Sequence, residues 1–303
     1  MRTLTLAREI RTGDRRALSK GITMAENDRE GAAGLLRVLR PPGHVFVLGV
    51  TGPPGTGKSS LVDRLIEVYR RRRLKVGVIA VDPTSPLTGG AFLGDRIRMA
   101  GHAADNGVYI RSMASRGWSG GLSRATSQVI QMMDAAGFDV VLLETVGIGQ
   151  SDIEVMSVSH AVIVVLMPGL GDDVQVSKAG LMEIGDVYAV NKADMEGADM
   201  MVLNILGMVR EMKSRSPAVL KVSALTGEGL EKLDASIEAV RSKFERGDFG
   251  LRLRSASGMI AETAKGILSE RLGRVVQEKT ERLARLVVEG RLTVDDAADR
   301  LTC

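Results

Sequence analysis

The sequence is poor in the residues that build disulfides and soft-metal sites. Of its 303 residues, one is a cysteine, Cys303, and three are histidines. A single cysteine excludes an intrachain disulfide, so we expect a protein of a reducing compartment. His44, His102 and His160 are scattered without ligand spacing. Because metal-inserting proteins generally use Cys and His ligands, this pattern disfavours a Cys/His metal centre.

Aromatic residues and long apolar runs are also scarce. Phe, Trp and Tyr together make up 3% of the chain, which argues against stacking platforms for single-stranded nucleic acid. The longest apolar run, residues 161–167, is far too short to cross a bilayer. Residues 1–10 mix charges early and lack the apolar core of a signal peptide. We therefore expect a cytoplasmic protein that binds neither nucleic acid nor membrane.

What the chain does contain is a regular alternation of apolar runs and helical segments. Hydrophobic residues make up 44% of the sequence, ample for a packed core. Strands this apolar, interleaved with helices, predict an α/β fold with a mostly parallel sheet flanked by helices. The predicted strands are residues 45–50, 76–81, 108–113, 140–144, 162–167, 187–190 and 219–222.

One glycine-rich segment follows the first predicted strand and precedes a helical segment. Residues 52–59 match G-x-x-x-x-G-K-[ST], the phosphate-binding loop of P-loop NTPases. Glycines let backbone N–H groups surround a polyphosphate, and the helix points its positive end at the same place. We expect Lys58 to reach the β- and γ-phosphates and Ser59 to offer its hydroxyl to Mg²⁺. The predicted loop residues are Gly52, Pro53, Pro54, Gly55, Thr56, Gly57, Lys58, Ser59 and Ser60.

A second motif, N-K-x-D, follows the predicted strand 187–190 and selects the base. An aspartate at position 194 can accept both the N1–H and the exocyclic amino group of guanine. Adenine has no such donor pair and would leave a buried carboxylate unpaired. Asn191 is expected to stabilise the loop and Lys192 to pack its stem on the base. Ser223, Ala224 and Leu225 match the loop whose backbone contacts the guanine oxygen. The sequence thus predicts GTP and GDP as ligands rather than ATP.

Three acidic residues are candidates for a Mg²⁺–phosphate centre. Glu144 ends a predicted strand and opens E-T-V-G, a D-x-x-G motif with glutamate first. Asp82 ends another strand, and Asp95 lies in the loop that follows it. Mg²⁺ usually keeps several waters, so these carboxyl groups are expected to act partly through water. A helix cap for Asp82 and a plain surface charge for Asp95 are the alternatives.

The E-T-V-G motif lacks the residue that orients water in Ras-like proteins. Gly147 is placed to donate its N–H to the γ-phosphate and so to sense hydrolysis. A glutamine follows this glycine in Ras-like proteins, whereas this chain has Ile148, with Gln150 nearby. We therefore expect slow intrinsic GTP hydrolysis that a partner stimulates.

Both termini have helical character and flank the nucleotide-binding part. Residues 1–42 show amphipathic spacing and end at Pro41 and Pro42, which cannot continue a helix. Residues 255–303 are rich in Glu, Arg, Leu and Ala, with Gly290 as a helix stop. We predict an N-terminal helical extension at 1–42, a P-loop GTPase domain at 43–247 and a C-terminal helical arm at 248–303.

Taken together, these motifs resemble the MeaB/ArgK family of GTPases, the G-protein chaperones of adenosylcobalamin-dependent acyl-CoA mutases. The likeness extends over nearly the whole chain. It is carried by residues 49–59, 82–99, 111–117 and 144–152.

The resemblance implies more than the residues show by themselves. It implies a homodimer formed partly through residues 255–303, and a mutase of the methylmalonyl-CoA type as partner. It assigns Asp82, Asp95 and Glu144 to the Mg²⁺ and catalytic set. Lys58, Gly147, Gln150 and Lys178 are the other predicted catalytic residues. It also implies that residues 167–178, with Asp172, Asp173 and Lys178, form an extra switch that responds to the mutase. Without the resemblance, a plain helix N-terminus explains those acids and a solvated lysine explains Lys178.

Two other functions share this architecture. A metal-insertion GTPase needs Cys and His ligands, which the chain scarcely has. A kinase of an amino-acid transport protein needs a phosphoacceptor site, and no motif identifies one. A signal-recognition-type GTPase is a weaker alternative, because the 15 methionines are dispersed.

Overall fold

The computed structural model describes residues 2–82, 99–102, 104–114, 121–145, 157–169, 181–211 and 216–302. Within them the chain forms a seven-stranded sheet in the order β3-β2-β4-β1-β5-β6-β7. Every pair of neighbouring strands is parallel, which confirms the predicted fold class. The strands are β1 Phe46–Thr51, β2 Val76–Asp82, β3 Val108–Ala114, β4 Val140–Glu144, β5 Ala161–Leu166, β6 Val187–Val190 and β7 Ala218–Lys221.

Helices cover both faces of this sheet. A single 3₁₀ turn, Ala100–His102, precedes β3. No helix in the described ranges is long and apolar enough to span a membrane. The α-helices are α1 Arg2–Arg11, α2 Arg15–Asn27, α3 Arg29–Leu39, α4 Lys58–Arg71, α5 Gly121–Ala135, α6 Leu181–Ile184, α7 Ala198–Glu211, α8 Leu230–Glu245, α9 Phe249–Val288 and α10 Val294–Thr302.

The central strands are apolar on both sides because each side faces a separate core. β1, β4 and β5 are buried along their whole length. Successive side chains of a strand point to opposite faces. Thus Val47 packs with α1–α3 and α5, whereas Phe46 and Leu48 pack with α4 and α8. This two-sided burial explains why the strands read as continuous apolar runs rather than as alternating ones.

The order of the strands fixes where a ligand can bind. β1 lies between β4 and β5, so the chain leaves β1 at a point where strand order reverses. Open parallel sheets bind ligands at such a switch point, beyond the carboxyl ends of the strands. The register pairs Val50 with Glu144 and Leu166 with Val190. The ends of β1, β4 and β6 therefore meet at one edge.

The terminal helices are tied to the sheet domain by specific contacts. Arg11 donates to the Val38 carbonyl at 2.6 Å and so fastens α1 to α3. Asp134 on α5 accepts from the N–H groups of His44 and Val45, each at 2.9 Å, where the chain enters β1. At the other end, Ser255 of α9 donates to the Val158 carbonyl at 2.8 Å.

Strand boundaries agree with the sequence to within one residue, and the helices differ more. Residues 175–184 carry helix-forming side chains, and the part of this segment that the structure describes is the helix Leu181–Ile184. The C-terminal helix begins at Phe249, earlier than the helical composition of residues 255–303 indicates, and ends at Val288, just before Gly290. Gly290 has a φ of 69°, a conformation that favours glycine and stops the helix. The division into domains at 42 and 247 stays a prediction.

Candidate nucleotide-binding site

The phosphate loop joins β1 to α4, and two of its glycines have no room for a side chain. Gly52 has a φ of 142°, and a Cβ there would lie 2.0 Å from the Val165 carbonyl oxygen. Gly57 has a φ of 87°, and its Cβ would lie 2.4 Å from the Asn191 side-chain nitrogen. Both positions therefore require glycine for conformation and for space.

Lys58, the first residue of α4, spans this loop. Its Nζ donates to the carbonyl oxygens of Gly52 at 2.8 Å and Pro53 at 3.0 Å. The side chain is buried, and the positive end of the α4 dipole lies beside it. Thr56 closes the same turn by donating to Pro53 at 2.9 Å. A polyphosphate could replace the loop carbonyls as the partner of the ammonium group.

Ser59 and Glu144 form a buried pair behind the loop. The Ser59 hydroxyl donates to Glu144 Oε1 at 2.6 Å, and both residues are less than a tenth exposed. Next to them, the Thr145 hydroxyl donates to that of Thr51 at 3.1 Å. Hydroxyl and carboxyl oxygens are ligand types that suit Mg²⁺. The pair thus fits a magnesium ion in its chemistry.

Asn191 connects the phosphate loop to the loop after β7. Its Nδ2 donates to the Thr56 carbonyl at 2.8 Å, and its Oδ1 accepts from the Ala224 N–H at 3.0 Å. The side chain is 2% exposed. One amide thus fixes two loops that are distant in sequence.

Asp194 presents an exposed carboxylate at the mouth of the cleft. Ser223 Oγ donates to Asp194 Oδ1 at 2.6 Å. That bond, with smaller help from the backbone and Lys192, lowers the pKa of Asp194 below its usual value. Lys192 has a φ of 58°, a left-handed turn just before the aspartate. Asp194 is therefore held ionised and in a fixed place.

Of these groups, Ser59, Asn191, Asp194 and Ser223 line one open cleft of about 440 Å³. Its volume falls in the usual range for small-molecule sites. It is lined by Gly57, Ser59, Ser60, Asp63, Arg64, Asn191, Lys192, Asp194, Ser223, Ala224 and Leu225.

The structure adds two cleft residues that the sequence motifs did not reveal, Asp63 and Arg64. Arg64 on α4 donates from Nε to the Ala224 carbonyl at 2.8 Å and from Nη2 to the Leu225 carbonyl at 3.2 Å. The Ala224 contact joins positions 160 residues apart. Helical spacing marks Arg64 only as a residue of α4, so no local signal could have identified its role.

The remaining predicted site residues are only partly described. Asp82 ends β2, the neighbour of β4, and its strand pairs Ala80 with Glu144. That register places the end of β2 at the same edge as Glu144. Within the described parts of the chain, no group of three or more His, Cys, Asp or Glu side chains could hold a metal. Asp95, Gly147, Gln150, Asp172, Asp173 and Lys178 lie outside the described residues.

His160 has a packing role. Its Nδ1 accepts from the Val47 N–H at 2.9 Å, and its ring lies against Phe46 and Phe244. Burial, with the charges of Arg254 and Arg252, lowers its pKa to about 3. The imidazole is therefore neutral at neutral pH, with its Nδ1 lone pair already used by the backbone.

Comparison with solved structures supports the same architecture. The crystal structure of a LAO/AO transport system kinase matches with a TM-score of 0.72 and 26% identity, over 100% of this chain and 97% of that one. HypB from Helicobacter pylori in complex with nickel matches with a TM-score of 0.51 and 18% identity, over 72% of this chain and 96% of that one. The second likeness shows the fold alone.

Comparison of sequences shows the family. A protein of Pyrococcus horikoshii designated a GTPase is 44% identical over 278 residues, 89% of this chain and 84% of that protein. GTPase ArgK of Escherichia coli is 39% identical, over 75% of this chain and 72% of its own length. The mitochondrial methylmalonic aciduria type A homolog of Mus musculus is 32% identical, over 73% of this chain and 59% of its own length. The family model described as methylmalonyl Co-A mutase-associated GTPase MeaB matches residues 18–281. The chain therefore belongs to the MeaB family of GTPases.

Proposed function

We propose that this GTPase is a chaperone of an adenosylcobalamin-dependent acyl-CoA mutase of the methylmalonyl-CoA mutase type. GTP binding and hydrolysis would gate the loading of intact cofactor into the mutase and protect the mutase from damaged cofactor. The family description supports the partner, because it names association with methylmalonyl Co-A mutase. The observation that carries the nucleotide part is the fixed, ionised Asp194 at the mouth of the cleft.

Asp194 gives the site its preference for guanine. A carboxylate held by Ser223 can accept from the two adjacent donors of guanine, N1–H and the exocyclic amino group. Adenine would place an acceptor nitrogen opposite the same carboxylate. Discrimination by hydrogen bonds of this kind is large, because the wrong base leaves a charged group without its partner.

The phosphate end supplies positive charge and backbone N–H groups. Lys58 and the first turn of α4 would hold the β- and γ-phosphates, a role that the position of Lys58 beside the loop supports. Because Lys58 now bonds to the carbonyls of Gly52 and Pro53, substrate binding must exchange those contacts for phosphate oxygens.

Ser59 and Glu144 are the described residues that would hold Mg²⁺, directly or through water. Asp82, at the end of the adjacent strand β2, and Asp95 complete the proposed set. When bound, the ion would neutralise charge on the phosphates during hydrolysis. Ser59 and Glu144 would then exchange their mutual hydrogen bond for metal or water contacts.

Regulation by the partner completes the proposal. Ile148 stands where Ras-like GTPases have a water-orienting glutamine, so intrinsic turnover should be slow. Gly147, Gln150 and the segment 167–178, with Lys178, are the proposed switch elements. The proposed assembly is a homodimer formed partly through residues 255–303.

Two alternative functions predict different chemistry. The kinase named among the structural neighbours would transfer phosphate to protein instead of water. Nickel insertion would need metal ligands, and the described ranges hold no candidate cluster.

The decisive experiment measures complex formation and GTP turnover together. The full chain is incubated with γ-labelled GTP, with and without purified holo-mutases of the methylmalonyl-CoA and isobutyryl-CoA types. The proposal predicts a complex with one mutase, release of free phosphate and faster turnover in the complex. Label on protein would favour a kinase. Failure to bind any cobalamin mutase, with turnover unchanged, would refute the chaperone role but leave the GTPase intact.

A further inference from the structure

Arg64 links the two ends of the nucleotide cleft. It lies on α4, the helix that begins at Lys58, and its side chain reaches the loop after β7. Two of its nitrogens donate to successive carbonyls, Ala224 at 2.8 Å and Leu225 at 3.2 Å. A third nitrogen lies 3.2 Å from Glu67 Oε2, one turn along α4. The guanidinium is therefore oriented by its own helix while it holds the loop.

These contacts fix the orientation of the peptide between Ala224 and Leu225. A trans peptide is planar, with C=O and N–H on opposite sides. Because the Ala224 carbonyl points at Arg64, the Leu225 N–H points away from it. The N–H groups on either side already donate hydrogen bonds. That of Ala224 donates to Asn191 Oδ1, and that of Thr226 donates to the Ser223 hydroxyl. Among the described residues, no hydrogen bond uses the Leu225 N–H.

The rest of this loop does not depend on Arg64. Ser223 donates its N–H to the Glu228 carbonyl, and Gly227 donates to Ser223, each at 2.9 Å. These bonds close the base of the loop. Among the described residues, only Arg64 contacts the 224–225 peptide from outside the loop, at the Ala224 carbonyl. Asn191 holds the preceding peptide through the Ala224 N–H. Loss of Arg64 should therefore release one peptide plane without unfolding the loop.

We infer that Arg64 is a positioning residue for base recognition, which holds the 224–225 peptide so that the Leu225 N–H can donate to the guanine carbonyl. Adenine has an amino group where guanine has this carbonyl, so two hydrogen-bond donors, the amino group and the Leu225 N–H, would face each other. The inference rests on the proposed binding of GTP. It assigns recognition of the carbonyl side of the base to Arg64 and recognition of the N1–amino side to Asp194.

The two nitrogens that touch the loop belong to one rigid plane, so lysine is a poor substitute. A guanidinium presents a planar fork, whereas a lysine ammonium is a single point on a flexible stem. Lysine at position 64 could reach one carbonyl and would leave the other unrestrained. Arg71 is exposed on the same helix, and its side chain makes no hydrogen bond or ion pair within the described residues, so it provides a matched control.

The test compares three nucleotides on Arg64→Ala, Arg64→Lys and Arg71→Ala. GTP has both recognition edges, 6-thio-GTP weakens the carbonyl acceptor, and ITP lacks the exocyclic amino group. For Arg64→Ala we expect GTP affinity to fall about tenfold, the equivalent of one net hydrogen bond. The preference for GTP over 6-thio-GTP should nearly vanish, while the preference for GTP over ITP stays. Arg64→Lys should retain less than half of the carbonyl preference, and Arg71→Ala should match the parent.

Three results for Arg64→Ala would overturn the inference. They are an equal loss of affinity for all three nucleotides, a fall in the preference for GTP over both 6-thio-GTP and ITP, and unchanged affinities. Thermal unfolding of each variant identifies a folding defect. If Arg64→Ala does not fold, the lysine variant decides the question by the same ratios. A parent protein that binds ATP as well as GTP would refute the proposed guanine selectivity itself. Selective GTP binding that Arg64→Ala leaves unaltered would refute only the role of Arg64.

Discussion

The two ends of the nucleotide cleft are held in different ways. At the base end, Asn191 and Arg64 tie separate elements together, and Ser223 fixes the Asp194 carboxylate. At the phosphate end, Lys58 bonds to carbonyls of its own loop, and Ser59 bonds to Glu144. The base end is thus built from scaffold contacts that can persist when a ligand binds. The phosphate end is satisfied by internal contacts that a ligand must replace.

This difference suggests a division of tasks. A preformed base end can select guanine without rearrangement, which limits the loss of conformational entropy on binding. A phosphate end that exchanges partners can respond to the number of phosphates and to the metal, as a switch requires. Substitutions at the phosphate end should therefore affect turnover most, and those at the base end should affect selectivity.

The largest effect is expected for Lys58→Ala. Removal of the ammonium group deletes the main charge that stabilises the transferring phosphoryl group. Turnover should fall by about 100- to 1000-fold, the usual loss for one preorganised donor. Phosphate release under single-turnover conditions measures it. Lys75→Ala, at an exposed lysine far from the cleft motifs, serves as the control. A loss of less than threefold would contradict the assigned role.

Asp194→Asn should have the next largest effect, this time on selectivity. The amide cannot accept from both guanine donors, so GTP affinity should fall by about 10- to 100-fold. The same amide can donate to the extra carbonyl of xanthine, so XTP should bind better than it does to the parent. Competition between GTP and XTP measures both changes. If the GTP-to-XTP preference stays constant, Asp194 does not read the base.

Ser59→Ala should reveal the metal dependence of the phosphate end. Loss of the hydroxyl removes a proposed Mg²⁺ ligand and leaves the Glu144 carboxyl without that donor. We expect GTP affinity to fall about tenfold in Mg²⁺ and to change little in excess chelator. Isothermal titration in both conditions separates these cases. Ser236→Ala, on α8 and not among the residues that line the cleft, is the control. An equal loss with and without Mg²⁺ would argue for a packing role.

The smallest effect is expected for Ser223→Ala, and it depends on pH. The hydrogen bond from Ser223 lowers the pKa of Asp194, so its removal lets that pKa rise. Protonated Asp194 binds guanine poorly, and GTP affinity should therefore be lost at a higher pH during acidification than in the parent. Near pH 7 both proteins keep Asp194 ionised, and affinity should change by about threefold or less. If the parent and the variant lose GTP affinity at the same pH, Ser223 does not control the pKa of Asp194.

Local sequence patterns predicted most of the fold and the main binding motifs. The seven strands follow from apolar runs that need burial on both faces, and each boundary agrees to within one residue. The glycine loop is encoded locally because Gly52 and Gly57 are positions that other residues cannot occupy. The helical composition of residues 255–303 does not reveal the start of α9 at Phe249, because its N-cap, Asp248, follows a short turn after α8 and has no strong periodic signal. The predicted arm at 248–303 begins at that N-cap.

The sequence by itself determined the parallel α/β class, the phosphate loop and the guanine motif, because each depends on residues close together in the chain. Only the tertiary structure decided how Asn191 joins the two loops and how Arg64 holds the Ala224–Leu225 peptide. Those contacts link positions from 33 to 160 residues apart. Their geometry follows from strand order and helix packing, which no local pattern specifies.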